Sequence, residues 1–223
     1  MVKFAAIKGF VFDLDGVITD TSTFHSQAWH QIADKVGASW NDQLADALKG
    51  ISRMDSLNLI LAQGHRENDF TPAQKQALAT EKNTNYLQLV NQMTPANILP
   101  GITAFLTELT TAGYALSLAS ASKNAPLVLR KLGLSDYFTK AVDPASLKHG
   151  KPDPEIFRRG AEILGLNPAD CIGVEDAAAG VQSIKGAGET AIGIGDPTVL
   201  AAADINFTDT TQLTLANIKA QLN

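Results

Sequence analysis

The chain has 223 residues, enough for one large domain or for a domain carrying a smaller insertion. Hydrophobic residues make up 45% and charged residues 18%, the balance of a globular protein that buries a core. A formal net charge of −5 leaves no basic excess to neutralise a nucleic-acid backbone, although a few local cations are enough to hold a small phosphorylated ligand in a cleft. The single cysteine, Cys171, excludes an intrachain disulfide and reads as a small core residue in an apolar run. The start, Met1-Val2-Lys3-Phe4, shows no signal-peptide pattern, and no apolar run nears the roughly 20 residues of a membrane span. A cytoplasmic location is expected, with neither membrane nor nucleic acid as partner.

In chain order, a first strand is predicted over Phe10 to Leu14. A stretch without convincing strands follows, read as helices over Ser22 to Val36, Gln43 to Leu48, Met54 to Ala62 and Pro72 to Asn91. The last of these opens on Thr71-Pro72-Ala73-Gln74, where Thr71 can cap, Pro72 suits the first helical position and Gln74 completes a capping box. Further strands are expected over Ala115 to Ala119, Lys140 to Val142, Cys171 to Val174, Thr190 to Ile194 and Ile205 to Phe207. Helical periodicity lies between them at Ala125 to Leu132, Pro154 to Leu164 and Ala178 to Ala187. Alternating strands and helices predict an α/β fold, a doubly wound parallel-sheet core, with an inserted helical cap domain. The expected division is 1–19 and 95–223 for the core and 20–94 for the cap, joined by linkers rich in glycine and proline. An all-helical block inserted after the first strand has the makings of a lid.

Four positions carry chemistry, each at a strand end or helix start. Asp13-Leu14-Asp15-Gly16 follows the first strand. Two carboxylates there bind a hard cation and divide labour between nucleophile and proton shuttle, and Gly16 permits a sharp turn. The bland reading is an Asp-Gly turn that only ends the strand; a calcium loop is excluded because the twelfth position from Asp13 is Phe24. Ser120-Ala121-Ser122-Lys123-Asn124 offers hydroxyls, amides and a cation at a helix start, although such a serine is often only a cap. Lys151-Pro152-Asp153-Pro154 presents a lysine at a helix head where flanking prolines limit the backbone, against the alternative of a solvated surface lysine. Glu175-Asp176, after another apolar strand, is either a helix cap or the second half of a Mg²⁺ site with Asp13 and the Asp15 carbonyl. The conjunction, in this order and at one sheet edge, favours the chemical reading over four separate coincidences.

These four motifs resemble those of the haloacid dehalogenase superfamily, whose members mostly form an aspartyl-phosphate with Mg²⁺. Within it the chain is similar to the β-phosphoglucomutase family, on Asp13 to Thr21, His25, Trp29, Leu48 to Leu57, Leu118 to Asn124 and Gly173 to Asp176. Met54 and the run Lys148-His149-Gly150 depart from the pattern without touching an assigned role. The resemblance implies that Asp13 is the phosphorylated nucleophile and Asp15 the general acid and base. Asp13, Asp15, Glu175 and Asp176 would hold Mg²⁺, and Ser120 and Lys151 would hold the transferring phosphoryl. It further implies that Arg53 with Ser122, Lys123 and Asn124 grips the second phosphate. Thr21, Lys49, Gly50, Ile51, Ser56 and Ala121 would lie along the sugar, and His25 would link Asp15 to the cap linker. Trp29, Ile32 and Val36, flanked by Phe24, read as cap core. The implied partners are β-glucose 1-phosphate, glucose 6-phosphate and β-glucose 1,6-bisphosphate, handled by a monomer. A sugar-phosphate phosphatase with the same catalytic residues is the alternative.

Overall fold

Strands that are apolar at every position need cover on both faces, which a parallel sheet sandwiched by helices supplies. The computed structural model describes residues 3–48 and 51–222. It meets that need with five parallel strands: β1 (Gly9–Phe12), β2 (Ala115–Leu118), β3 (Cys171–Glu175), β4 (Thr190–Ile194) and β5 (Ile205–Phe207). Their order is β2-β1-β3-β4-β5, so the direction of winding reverses about β1. Ligands of such sheets bind beyond the carboxyl ends of the strands at this reversal. Every residue of β1, β3 and β4 is buried.

The helices are α1 (Ser22–Val36), α2 (Asp42–Ala47), α3 (Arg53–Gln63), α4 (Pro72–Val90), α5 (Ile102–Thr111), α6 (Ala125–Leu132), α7 (Glu155–Leu164), α8 (Ala178–Ala187) and α9 (Leu215–Leu222). Alternation along β1 sends Phe10 and Phe12 to one face, where both meet Phe105 of α5 edge-on at 5.8 and 6.1 Å. Val11 points to the other face, into a cluster with Phe157 and Ala161 of α7. Full burial of each such side chain is worth about 1.5–3 kcal/mol, which makes β1 the anchor of everything mounted on its end. None of the described helices is long and apolar enough to cross a membrane.

The chain divides into two compact units, Met1–Asp20 with Thr94–Asn223, and Thr21–Met93. In the sheet unit the two crossing segments lie side by side. Thr19 bridges Ile98, the Leu99 amide donates to the Ile18 carbonyl at 3.0 Å, and the Thr19 hydroxyl donates to the Asn97 carbonyl at 2.7 Å. The helical unit has its own core, with Trp29, Ile32, Val36, Leu57, Ile60, Leu61 and Leu78 among its members. Its helix starts are capped as their residues dictate. Asn41 accepts from the Leu44 amide at 2.8 Å, and Thr71 and Gln74 close the expected capping box.

The structure departs from the sequence reading in two places here. Lys140 to Val142 forms no strand; only Ala141 bridges Leu118, because Pro144 opens a 3₁₀ turn and lacks the N–H that a ladder needs. Helices α5 and α9 carry no sequence expectation at all. Helix α5 holds four threonines, poor helix formers, and the hydroxyls of Thr107 and Thr110 bond back to the carbonyls of Thr103 and Leu106. Helix α9 has only eight residues.

Candidate active site

The carboxyl ends of β1, β2 and β3 bring the motifs together. The ladder stops at Phe12, two residues before the expected strand end, and this frees Asp13 to turn over the sheet edge. Asp13 is tied to β3 through its amide, which donates to the Val174 carbonyl at 3.0 Å. On the other side the Ala119 amide donates to the Phe12 carbonyl at 2.7 Å, so Ser120 leaves β2 next to the exit of Asp13. The loop then reverses. Gly16 adopts φ +71°, and its amide donates to the Thr19 carbonyl at 2.8 Å. Gly16 is also required for space, since a β-carbon there would overlap the Asp176 carboxyl.

Lys151 is the hub of the site. Its ammonium lies 2.7 Å from Asp13 Oδ1 and 2.5 Å from Glu175 Oε1, with only 5% of its side chain exposed. The loop that carries it is fastened from below. Glu155 Oε2 accepts the amides of Lys148 and His149 at 2.8 and 3.1 Å, and Ser183 of α8 donates to the Asp153 carbonyl at 2.6 Å. The Phe157 ring lies 5.1 Å from the ammonium and covers its apolar side. Asp13 Oδ2 accepts the Asp15 amide at 3.1 Å, which orients the nucleophile candidate from its other oxygen. Asp15 itself is half-buried at the rim.

The electrostatics follow from burial. Burial pushes the Asp13 carboxyl above its ordinary range, with Glu175 and Asp15 adding to the rise and Lys151 opposing it. Asp176 is raised in the same way, first by burial and then by Glu175 and Asp13. Burial works against the Lys151 ammonium, but Asp13 and Glu175 outweigh it and hold the lysine above the usual range. Carboxylate oxygens of Asp13, Glu175 and Asp176 lie within 4.8 Å of one another. Three carboxylates against one lysine leave excess negative charge on an all-oxygen donor set. That set fits a hard divalent metal ion, which would return the raised carboxyls to their charged form.

Ser120 is buried and its hydroxyl oxygen accepts the Ser122 amide at 3.2 Å. The Ser122 hydroxyl oxygen in turn accepts the Asn124 amide at 3.3 Å, so the expected anion loop is ordered up to the start of α6. Ala121 and Lys123 are exposed on this loop, and Asn124 is half-buried.

The remaining expected residues belong to the helical unit. Lys49 and Gly50 lie outside the described residues. Ile51 packs against the helical core. Arg53, at the start of α3, donates to Asn83 Oδ1 at 2.8 Å. Ser56 is buried and its hydroxyl donates to the Ser52 carbonyl at 3.0 Å. Thr21 is fully buried, 3.4 Å from the Tyr86 hydroxyl. His25 Nδ1 meets the Lys82 ammonium at 2.6 Å, and its ring lies 4.1 Å from that of Tyr86. Since the ammonium only donates, Nδ1 accepts and the imidazole is neutral. Burial pushes the His25 imidazole down to about 3, with Lys82 and then Arg53 adding to the shift.

Lys82 and Asn83 were not among the expected site residues. The signal for Lys82 is present in the sequence. It takes a core position on the stripe Leu78, Lys82, Tyr86, Val90, four residues apart, and its ammonium lies 5.0 Å from the Trp29 ring. A lysine at such a position is either paired or functional.

Fold and site together define a phosphate-handling α/β enzyme, and the chain belongs to the haloacid dehalogenase-like hydrolases, whose family description matches residues 7–188. Among individual relatives, it is 44% identical over 209 residues to a β-phosphoglucomutase of Bacillus subtilis, covering 94% of this chain and 92% of that one. A crystal structure of β-phosphoglucomutase from Clostridium difficile superimposes with a TM-score of 0.94 at 42% identity, covering 97% of both chains. The chain is also 31% identical over 187 residues to a fructose-1-phosphate phosphatase of Escherichia coli, covering 83% of this chain and 95% of that one.

Proposed function

We propose that the enzyme is a mutase interconverting β-D-glucose 1-phosphate and D-glucose 6-phosphate through a phospho-aspartyl intermediate and β-glucose 1,6-bisphosphate. One observation carries the reading: identity of 44% and 42% to two β-phosphoglucomutases extends over both units, against 31% to a phosphatase over a smaller share of the chain.

In this reading phospho-Asp13 donates its phosphoryl group to the 6-hydroxyl of β-glucose 1-phosphate. The hydroxyl oxygen bonds to phosphorus, the bond from phosphorus to the Asp13 oxygen breaks, and Asp15 takes the hydroxyl proton. The bisphosphate turns round. Asp13 then attacks the 1-phosphate, Asp15 returns the proton to the departing sugar oxygen, and glucose 6-phosphate leaves. Ser120 and Lys151 hold equatorial oxygens of the transferring group, since positioning and charge carry most of such catalysis. The carboxylates of Asp13, Glu175 and Asp176 and the Asp15 carbonyl would hold Mg²⁺, which would supply neutralisation of the transferring phosphoryl. Arg53, oriented by Asn83, matches the oxygens of the second phosphate with its planar fork, and Ser122, Lys123 and Asn124 serve the same phosphate. Thr21, Lys49, Gly50, Ile51, Ser56 and Ala121 line the sugar, and His25 links Asp15 to the cap linker. We place the reaction in the cytoplasm, carried out by the monomer.

The test is a coupled assay with β-glucose 1-phosphate, Mg²⁺ and a trace of β-glucose 1,6-bisphosphate. Glucose 6-phosphate should form far faster than inorganic phosphate is released, and Asp13→Asn should abolish both. Stoichiometric phosphate release without glucose 6-phosphate would replace the mutase with the phosphatase reading.

A further inference from the structure

Helix α8 starts without a capping side chain, because its N-cap residue is Ala177. The side chain that meets its leading amides comes from the preceding strand. Glu175 Oε2 accepts the amides of Asp176 and Ala177 at 2.7 Å each, while Oε1 receives Lys151 at 2.5 Å. The carboxylate is thus folded back over the first turn of the helix that follows it.

The third residue of that turn is Gly180, and helix formation gives no reason for a glycine there. Its φ is not in the left-handed region, so any residue suits the backbone. A capping box would place Glu or Gln at this position, and alanine would make a firmer helix. Space supplies the reason. A β-carbon at Gly180 would overlap the Oε1, Cδ and Cγ atoms of Glu175. The obstacle is a side chain and not backbone, so a larger residue leaves the helix intact and displaces the carboxylate.

We propose that Gly180 is a positioning residue: the absent side chain is what lets Glu175 fold under α8 and hold Lys151 and its corner of the metal-binding carboxylate cluster. The inference rests on the reading of Asp13, Lys151 and Glu175 as the phosphoryl-transfer site, and it names the residue that shapes one side of it.

The experiment compares the full-length parent, Gly180→Ala, Glu175→Ala and the double variant by thermal unfolding, Mg²⁺ calorimetry and kcat/KM for β-glucose 1-phosphate. Gly180→Ala should keep the far-ultraviolet circular dichroism of the parent and unfold no lower than Glu175→Ala, since both disturb the same buried pair with Lys151. Its Mg²⁺ affinity and kcat/KM should fall about 10- to 100-fold, the usual cost of disturbing a group that orients a metal site. The double variant should be no worse than Glu175→Ala alone, because the effect passes through Glu175. Parent-like Mg²⁺ affinity and turnover in Gly180→Ala would overturn the proposal. So would additive losses in the double variant, or a midpoint well below that of Glu175→Ala, which would make the role purely structural. A parent with no isomerase turnover would instead sink the mutase reading, and Mg²⁺ calorimetry on Gly180→Ala would still test the glycine.

Discussion

Lys151 answers two carboxylates at once, Asp13 at 2.7 Å and Glu175 at 2.5 Å, in a place where little water reaches. Removing one partner of a buried charge set costs about 3–5 kcal/mol, because the groups left behind stay desolvated and unpaired. Lys151→Met should therefore destabilise the protein in EDTA and less so in saturating Mg²⁺, where a second cation faces the same carboxylates; equal losses by urea unfolding in both conditions would contradict this. Turnover should drop by about 10²–10³, the cost of deleting one preorganised charge at a reacting oxygen, measured as kcat in the coupled assay. The four motifs were legible at this scale because their residue types are costly anywhere else. What the sequence withheld is the partner of each. Proline spacing predicts that Lys151 is aimed, but only the packed loop shows Glu155 and Ser183 fastening it. In the helical unit the sequence offers Arg53 without Asn83 and His25 without Lys82.

Among elements, the turn between α8 and β4 carries a buried titratable group. Glu189, just before β4, is buried, and among the described residues neither of its carboxyl oxygens has a hydrogen-bond partner. Burial raises its pKa well above the ordinary value. The folded chain therefore keeps a proton that the unfolded chain loses above about pH 4.3. The sign follows: this group's stabilising share is fully present below that value and is lost as pH rises toward the folded pKa. Glu189→Gln should flatten the fall in stability above about pH 4.3 by about 1.4 kcal/mol per pH unit for as long as Glu189 stays protonated in the folded chain. Urea unfolding at a series of pH values checks this; parallel curves for parent and variant would refute it. Elements with strong local signals were legible beforehand. The capping box at Thr71 and Gln74 set the start of α4, and unbroken apolar runs set β3 and β4. The threonine-rich α5 was not, since its propensity is poor and its helical state depends on packing Phe105 against Phe10 and Phe12.

At the scale of the molecule, the reversal of winding about β1 explains why residues as far apart as Asp13 and Glu175 share one lysine. Strands β1 and β3 are neighbours, and their connections leave to opposite faces and open a crevice at the reversal. The excess of carboxylate there fits a divalent cation. EDTA should abolish turnover without changing far-ultraviolet circular dichroism, and Mg²⁺ should restore it. Mg²⁺ at about a hundredfold excess over its Kd should add about 2.7 kcal/mol of stability, read as a rise of several degrees in Tm. A Tm insensitive to Mg²⁺ would mean that the cluster of Asp13, Glu175 and Asp176 holds no metal.

The sequence by itself determined the α/β class, the helical insertion and which residues are candidates for the reacting groups. Periodicity, capping residues and chemically costly motifs are local properties, written within a few residues of one another. Only the tertiary structure decided the shared pairing at Lys151, the burial of Lys82 against Trp29, and the need for glycine at positions 16 and 180. Those depend on which distant surfaces meet, and a desolvated charge or a missing methyl group acquires its energy only once they have met.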